Sequence, residues 1–419
     1  MGPRDPSSCD RVSRHGSLLQ GVPGQGAGCR GPASVRSAPG VSDRPTEDAM
    51  QGRLKSLWQS VAAFWAGIIA EFRAPERIWP RALDEAETLA SVLLAILFAH
   101  LLQAENVGWA AFSGYMVMRS SLAESTVRGG MRILGTVAGA ALACAVALLL
   151  GHSWLALSVA LFLVGGVTLY AALTRQRSYA WLFTGLTFCM VLLDAQAQPL
   201  RHVAHFASTR ILEVTAGTLA CLVINLLSHQ TLRPRLGLPN AMPAMSSAAK
   251  AQERGDAARH AMQAGLALGT VPWLMPLLDS GRLSQAAVTI MALMMVPLSS
   301  LRGNRHLVSV RVAHRLAGCI TGCLAATVAL KLFGGSVSAI ILCMALGVVA
   351  GRHIENSMKP FAYAGNQFVL VFLVVLVPDS YAMISAEPGL ERVTGVFAGI
   401  VVLQMIRLLS RPLLHIPPR

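Results

Sequence analysis

Along most of the chain, apolar residues run for the length of a helix and polar residues gather in short intervals between the runs. After residue 80 the runs fall at 86–104, 107–118, 131–150, 154–173, 178–194 and 208–228. A second series falls at 260–278, 285–300, 312–333, 336–350, 361–378 and 393–409. Crossing a hydrocarbon core of about 30 Å takes about 20 helical residues. Backbone in lipid must satisfy its hydrogen bonds within the segment. The pattern therefore predicts an all-α polytopic membrane protein of about twelve transmembrane helices, with short second, fifth, eighth and tenth members.

The ends read differently. Residues 1–49 are rich in Gly, Pro, Ser and Arg and have no apolar periodicity. They read as a disordered extension, or as sequence upstream of a true start at Met50. Residues 50–80 hold a segment with basic ends and Trp58, Phe64, Trp65 and Phe72 between them, the composition of a helix lying in the membrane interface. The expected division is then 81–232 and 259–411 as two six-helix halves, 233–258 as a cytoplasmic linker and 412–419 as a cytoplasmic tail.

Composition removes the soluble alternative. Hydrophobic residues make up 54% of the chain and charged residues 13%, about half the charge of an ordinary soluble domain. The net charge of +14 would suggest a nucleic-acid partner in a soluble protein. Here the basic residues lie between apolar runs, without the clustered surface such binding needs. With the N-terminus inside, one side holds Arg119, Arg128, Arg132, Arg175, Arg177, Arg233, Arg235, Arg311, Arg315, Arg352 and Lys359, among others. The opposite side keeps only Arg201, Arg210, Arg282, Lys331 and Arg392. That asymmetry predicts an N-in/C-in topology. Six of the eight cysteines lie in apolar runs and read as packing residues, with no metal-ligand spacing.

The chain repeats itself. Arg119, Arg128, Arg132, Gly135 and Gly139 recur 183 positions later as Arg302, Arg311, Arg315, Gly318 and Gly322. A shift of 182 places Tyr179-Ala180-Trp181 on Phe361-Ala362-Tyr363, Arg210 on Arg392 and Gly217 on Gly399. Six helices separate the copies. The halves are therefore expected to be parallel, related by an axis along the membrane normal, with a path between them.

The stretch Arg132-Ile-Leu-Gly135-Thr136-Val-Ala-Gly139 resembles the Arg-x-x-Gly-Thr-x-x-Gly signature of the fusaric acid resistance family. That family is grouped with the aromatic acid exporters and, more distantly, the plant aluminium-activated malate channels. Trp109 and the Arg177-Ser-Tyr179-Ala-Trp181 stretch are similar in style, and the resemblance covers about residues 80–410. The second copy departs from the signature, with Cys319 in place of Thr. The chain also has no large cytoplasmic domain between its halves. The resemblance implies a multi-pass protein of the bacterial inner membrane that exports aromatic or other organic acids. It further implies a periplasmic adaptor and an outer-membrane channel as partners, and no cofactor.

Candidate chemistry follows from charge inside apolar runs. Arg128 with Arg132, and Arg311 with Arg315, are i, i+4 pairs near the cytoplasmic start of the third and ninth runs. Each pair shares one helix face, and guanidinium forks there suit carboxylates; lipid anchoring is the alternative use. Asn366 and Gln367 in the eleventh run, and Thr184 opposite them in the fifth, are candidate substrate ligands. They can equally satisfy one another between helices. Glu213, three residues after Arg210, is a carboxylate inside the sixth run and a candidate proton carrier, with a structural Arg–Glu pair as the alternative. Gly135/Gly139, Gly318/Gly322 and Gly395/Gly399 are GxxxG pairs expected to pack helices closely. Asp194, Asp379, His100, His202 and His205 read as boundary residues.

No phosphate-binding loop or nucleophile arrangement points to an enzyme. An active transporter of this kind would draw on the proton gradient. A passive organic-anion channel and a non-transporting membrane scaffold are the competing readings.

Overall fold

The computed structural model describes residues 47–73, 78–150, 153–197, 200–236, 251–296, 307–357, 359–378 and 385–410. Most of the expected N-terminal extension, most of the linker, the tail, Asp379 and Arg302 lie outside them. The described elements are helical: α1 (Glu47–Phe72), α2 (Ile78–Leu101), α3 (Val107–Val117), α4 (Leu122–Leu150), α5 (Trp154–Thr174), α6 (Ser178–Ala197) and α7 (Leu200–Arg235). They continue with α8 (Ala251–Thr270), a 3-10 turn (Val271–Leu274), α9 (Ser280–Met294), α10 (Leu307–Phe333), α11 (Val337–Glu355), α12 (Ala362–Leu376) and α13 (Glu387–Ser410). Residues from Gln59 onward form one unit, and those up to Trp58 form another.

Among the described residues seven helices are long and apolar enough to cross a membrane: α4, α5, α6, α7, α10, α11 and α13. Their outward faces carry leucines such as Leu148, Leu155, Leu226, Leu342 and Leu346, all largely exposed, while arginines and glutamates are buried within. Apolar surface outside and charge inside is what a lipid solvent selects. The chain is an all-helical multi-pass membrane protein. Of the remaining helices, α3 with 11 residues and α9 and α12 with 15 each are shorter than a span. α2 and α8 carry charged residues in their first turns.

Local signals set several helix starts. Ser153 accepts a hydrogen bond from the Ala156 amide and opens α5, while Ser336 does the same for Ala339 at the start of α11. Both hydroxyls satisfy amides that the first turn leaves without partners. Asp279 caps α9 by accepting from the Arg282 amide at 2.8 Å.

Packing is matched between the halves. α4 packs on α6 as α10 packs on α12, α3 on α7 as α9 on α13, and α2 on α7 as α8 on α13. Between the halves, α5 meets α8 and α2 meets α11, while α6 meets α9 and α3 meets α12. The glycine pairs sit at the closest of these contacts. A Cβ on Gly135 would lie 2.5 Å from the Ala180 carbonyl oxygen, and Gly139 faces the Thr184 carbonyl. Gly318 and Gly322 face the Ala364 and Phe368 carbonyls in the same way, and Gly395 and Gly399 meet Arg282 and Ala286 of α9. Only residues without a side chain let these backbones approach so closely.

Polar clusters clamp one end of the helices. Arg352 reaches Asp84 through Nε at 2.7 Å and Nη2 at 3.2 Å, and Glu355 through Nη1 at 3.2 Å. Tyr115 donates to Glu355 at 2.6 Å and Asn356 to Asp84 at 2.8 Å, so α2, α3 and α11 are tied together. Glu71 near the end of α1 pairs with Arg81 at 2.5 Å and Lys359 at 2.6 Å.

Candidate functional site

A cavity of about 630 Å³ opens between the halves. Arg128, Arg132 and Arg210 line it from one half, and Arg311, Arg315 and Arg392 from the other. The carboxylates on its wall are Glu213 and Glu355. Trp109, Phe112, Tyr179, Phe183 and Tyr363 supply most of the aromatic surface. The result is a pocket with six guanidinium groups, two glutamates and flat apolar walls.

The helix starts explain how the arginines arrive there. α4 begins at Leu122 and α10 at Leu307, earlier than the apolar runs. Arg128 and Arg132, and likewise Arg311 and Arg315, therefore stand beyond the first turn rather than at the helix mouth. They stand past the reach of the helix dipole, whose effect fades within the first turn. The arginines are held instead by side chains. Arg132 donates to the Tyr179 hydroxyl at 3.3 Å and to Ser113 at 3.1 Å. Arg315 donates to the Tyr363 hydroxyl at 3.1 Å, to Thr289 at 3.1 Å and to Gln367 at 2.9 Å. Arg128 lies 4.3 Å over the Tyr179 ring and Arg311 lies 4.4 Å over the Tyr363 ring.

These partners are neutral. Arg132 and Arg315 are 1% and 2% exposed, and the Nε of each makes no hydrogen bond. Hydroxyls, an amide and ring faces orient a guanidinium without cancelling its charge. Among the described residues neither arginine has a carboxylate partner, and a buried cation without a counter-ion is costly.

A family model described as fusaric acid resistance protein-like matches residues 94–224 and 270–406, more than half of the chain. The chain belongs to the fusaric acid resistance protein-like family. No curated protein and no solved structure matches it. The two matched regions contain all six cavity arginines and Glu213 of this family member, with one Arg-rich stretch in each.

Of the candidate ligands in this family member, Asn366 and Gln367 line the cavity and Thr184 does not. The Thr184 hydroxyl turns back to the Ala180 carbonyl at 3.0 Å, the usual bond of a helical threonine to the preceding turn. Gln367 also bonds to Asn366 at 3.1 Å, and Asn366 reaches Glu355 at 3.4 Å. Glu213 is fully buried, 3.2 Å from Arg210, and accepts from the Asn106 amide at 3.2 Å just before α3. Arg210 lies 4.4 Å over Trp109 and 4.8 Å over Phe206.

Asp194 is half-buried and lines a second cavity, a vestibule of about 480 Å³. His100 and His202 are exposed, and His205 pairs with exposed Glu105 at 2.6 Å. Reading residue by residue had passed over Glu355 and treated Arg352 as positive-inside charge. Their i, i+3 spacing was the available signal, but their link to Asp84 and Tyr115 depends on the fold.

Proposed function

We propose that this chain is a secondary transporter of the bacterial inner membrane that exports aromatic or other organic acids, driven by the proton gradient. The observation that carries the reading is the convergence of six arginines from both halves, four of them buried, on one cavity with aromatic walls. Carboxylates match the guanidinium donors, and flat rings match Trp109, Phe112, Tyr179 and Tyr363.

The architecture behind this proposal has α2–α13 as twelve spans, in two parallel six-helix repeats with both termini inside. Its support is the matched helix packing, the paired capping serines Ser153 and Ser336, and the family match in each half. The short helices α3 and α9 pack within the protein, where full span length is not required. The exposed Trp58, Trp65, Ile69 and Phe72 of α1 suit the proposed interfacial placement. A periplasmic adaptor and an outer-membrane channel are proposed partners.

In the proposed cycle the anion enters from the cytoplasm between the Arg128/Arg132 and Arg311/Arg315 faces. Glu213 is the proposed proton carrier: protonation would remove its hold on Arg210 and free that guanidinium for the anion. A passive anion channel is the second reading, favoured by the cavity and the outer vestibule sharing Trp109, Met190, Arg210 and Arg392.

The test is efflux of a panel of organic acids from cells with and without the protein, before and after collapse of the proton gradient. Retention of aromatic acids without the protein, and gradient-dependent efflux with it, is the expected result. Equal retention in both strains across the panel would refute the reading. Efflux that survives collapse of the gradient selects the channel.

A further inference from the structure

The cavity arginines are matched between halves, but their counter-ions are not. Arg210 of α7 is paired with Glu213 at 3.2 Å. Its counterpart, Arg392 of α13, is followed three residues later by Gly395. That glycine cannot be exchanged for a carboxylate, because the Arg282 carbonyl of α9 lies 2.5 Å from where its Cβ would be. Close packing of α13 on α9 has therefore excluded the acid that would neutralise Arg392.

What remains around Arg392 is weakly polar. Its Nη1 donates to Gln285 Oε1 at a long 3.3 Å, and the Cys319 thiol, the Arg315 guanidinium and the Tyr363 hydroxyl are its other polar neighbours among the described residues. The Phe112 ring centre lies 5.7 Å away, and Nε has no hydrogen-bond partner. The residue is 2% exposed. A guanidinium carries five N–H donors, and burying one without a counter-ion is unfavourable. Arg392 also lines both the central cavity and the outer vestibule, where Asp194 and Glu391 supply carboxylates farther out.

We propose that Arg392 is the centre of a second anion site, at the junction of the two cavities and separate from the Arg132/Arg315 site. Its ligand is a single carboxylate group, seated on Arg392 and Gln285 with its aromatic body against Phe112 and Trp109. The inference rests on the anion-transport reading and adds a step to it. A carboxylate leaving Arg132 and Arg315 is received by Arg392, then released past the acidic residues of the vestibule.

Benzoate binding to the purified full chain in lipid nanodiscs, measured by equilibrium dialysis, tests this. The wild type is expected to bind at two sites. Gln285→Glu, which sets a built-in carboxylate of the same size on Arg392, is expected to abolish one site and leave the affinity of the other within about twofold. Arg392→Gln should remove the same site, and the double variant Arg132→Gln/Arg315→Gln should remove the other. Monodispersity and an unchanged melting temperature of the Gln285→Glu protein show that it is folded. Two sites retained in Gln285→Glu, or a single wild-type site lost only with Arg132 and Arg315, would overturn the second site and leave the transport reading standing. Absence of benzoate binding at any site would overturn both.

Discussion

Arg132 and Arg315, 183 residues apart in the chain, enter one cavity from opposite halves with the same set of neutral partners. Each donates to a tyrosine hydroxyl, Tyr179 or Tyr363, and to a hydroxyl on the short helix of its own half, Ser113 or Thr289. Neither meets a carboxylate among the described residues. This arrangement fixes two guanidinium groups in space while keeping their charge available.

Glu213→Gln keeps the shape of the side chain and its acceptor for the Asn106 amide, and removes the charge facing Arg210. If Glu213 carries the proton, energised efflux by the variant should fall at least tenfold while exchange of labelled for unlabelled acid persists. A drop in thermal stability with normal energised efflux would mean that Glu213 only holds Arg210 and caps α3.

The Gly139 contact with the Thr184 carbonyl leaves no room for a methyl group. Gly139→Ala should force α4 and α6 apart and cost about 1–3 kcal/mol, the usual range for overpacking. Gly130 of α4 has nothing within 4 Å of an added Cβ, so Gly130→Ala is the control expected to keep stability or raise it by up to about 1 kcal/mol through helix propensity. Melting of both variants in detergent measures the difference.

The Asp84–Arg352–Glu355 cluster ties α2 to α11 across the halves. Removing one member leaves buried charge uncompensated, and Asp84→Ala should destabilise the protein by about 3–5 kcal/mol. The double variant Asp84→Leu/Arg352→Leu should recover much of that loss. Thermal unfolding of the single and double variants provides the check.

Glu71, near the end of α1, gives a pH dependence. Burial tends to raise its carboxyl, but hydrogen bonds and charge from Lys359 and Arg81 outweigh burial and hold it below the ordinary 4.5. A lowered folded-state value means that the carboxylate stabilises the fold above the unfolded-state pKa. That contribution is lost as pH falls through the folded value. The melting-temperature gap between wild type and Glu71→Gln should be constant near neutrality and shrink below about pH 4. A gap independent of pH would show that the Glu71 charge contributes nothing.

Much of this was legible in the sequence because apolar runs and an exact repeat are local signals. The arginine pairs stood out by the 183-position match, and the glycines by their fixed spacing. The first turns of α4 were not legible. Glu124, Ser125 and Thr126 lie before the apolar run that begins at 131, yet they belong to α4 and Ser125 is fully buried. The Thr184 hydroxyl bonds to the Ala180 carbonyl, and sequence does not say whether a helical hydroxyl faces a cavity or its own backbone. Glu355 was missed because its partner Tyr115 lies 240 residues away. The isolation of Arg392 was visible in the contrast of Gly395 with Glu213, but carried no meaning until Arg392 was found buried in the cavity wall.

The account's central claim is that the paired arginines bind a carboxylate between the halves. Its most direct test is benzoate affinity of the purified chain in nanodiscs, comparing wild type with Arg132→Gln, Arg315→Gln and the surface control Arg254→Gln. Each cavity variant should weaken binding at the shared site at least tenfold, about 1.4 kcal/mol, while the control binds as wild type. Unchanged affinity in both cavity variants, with the proteins folded, would contradict the claim.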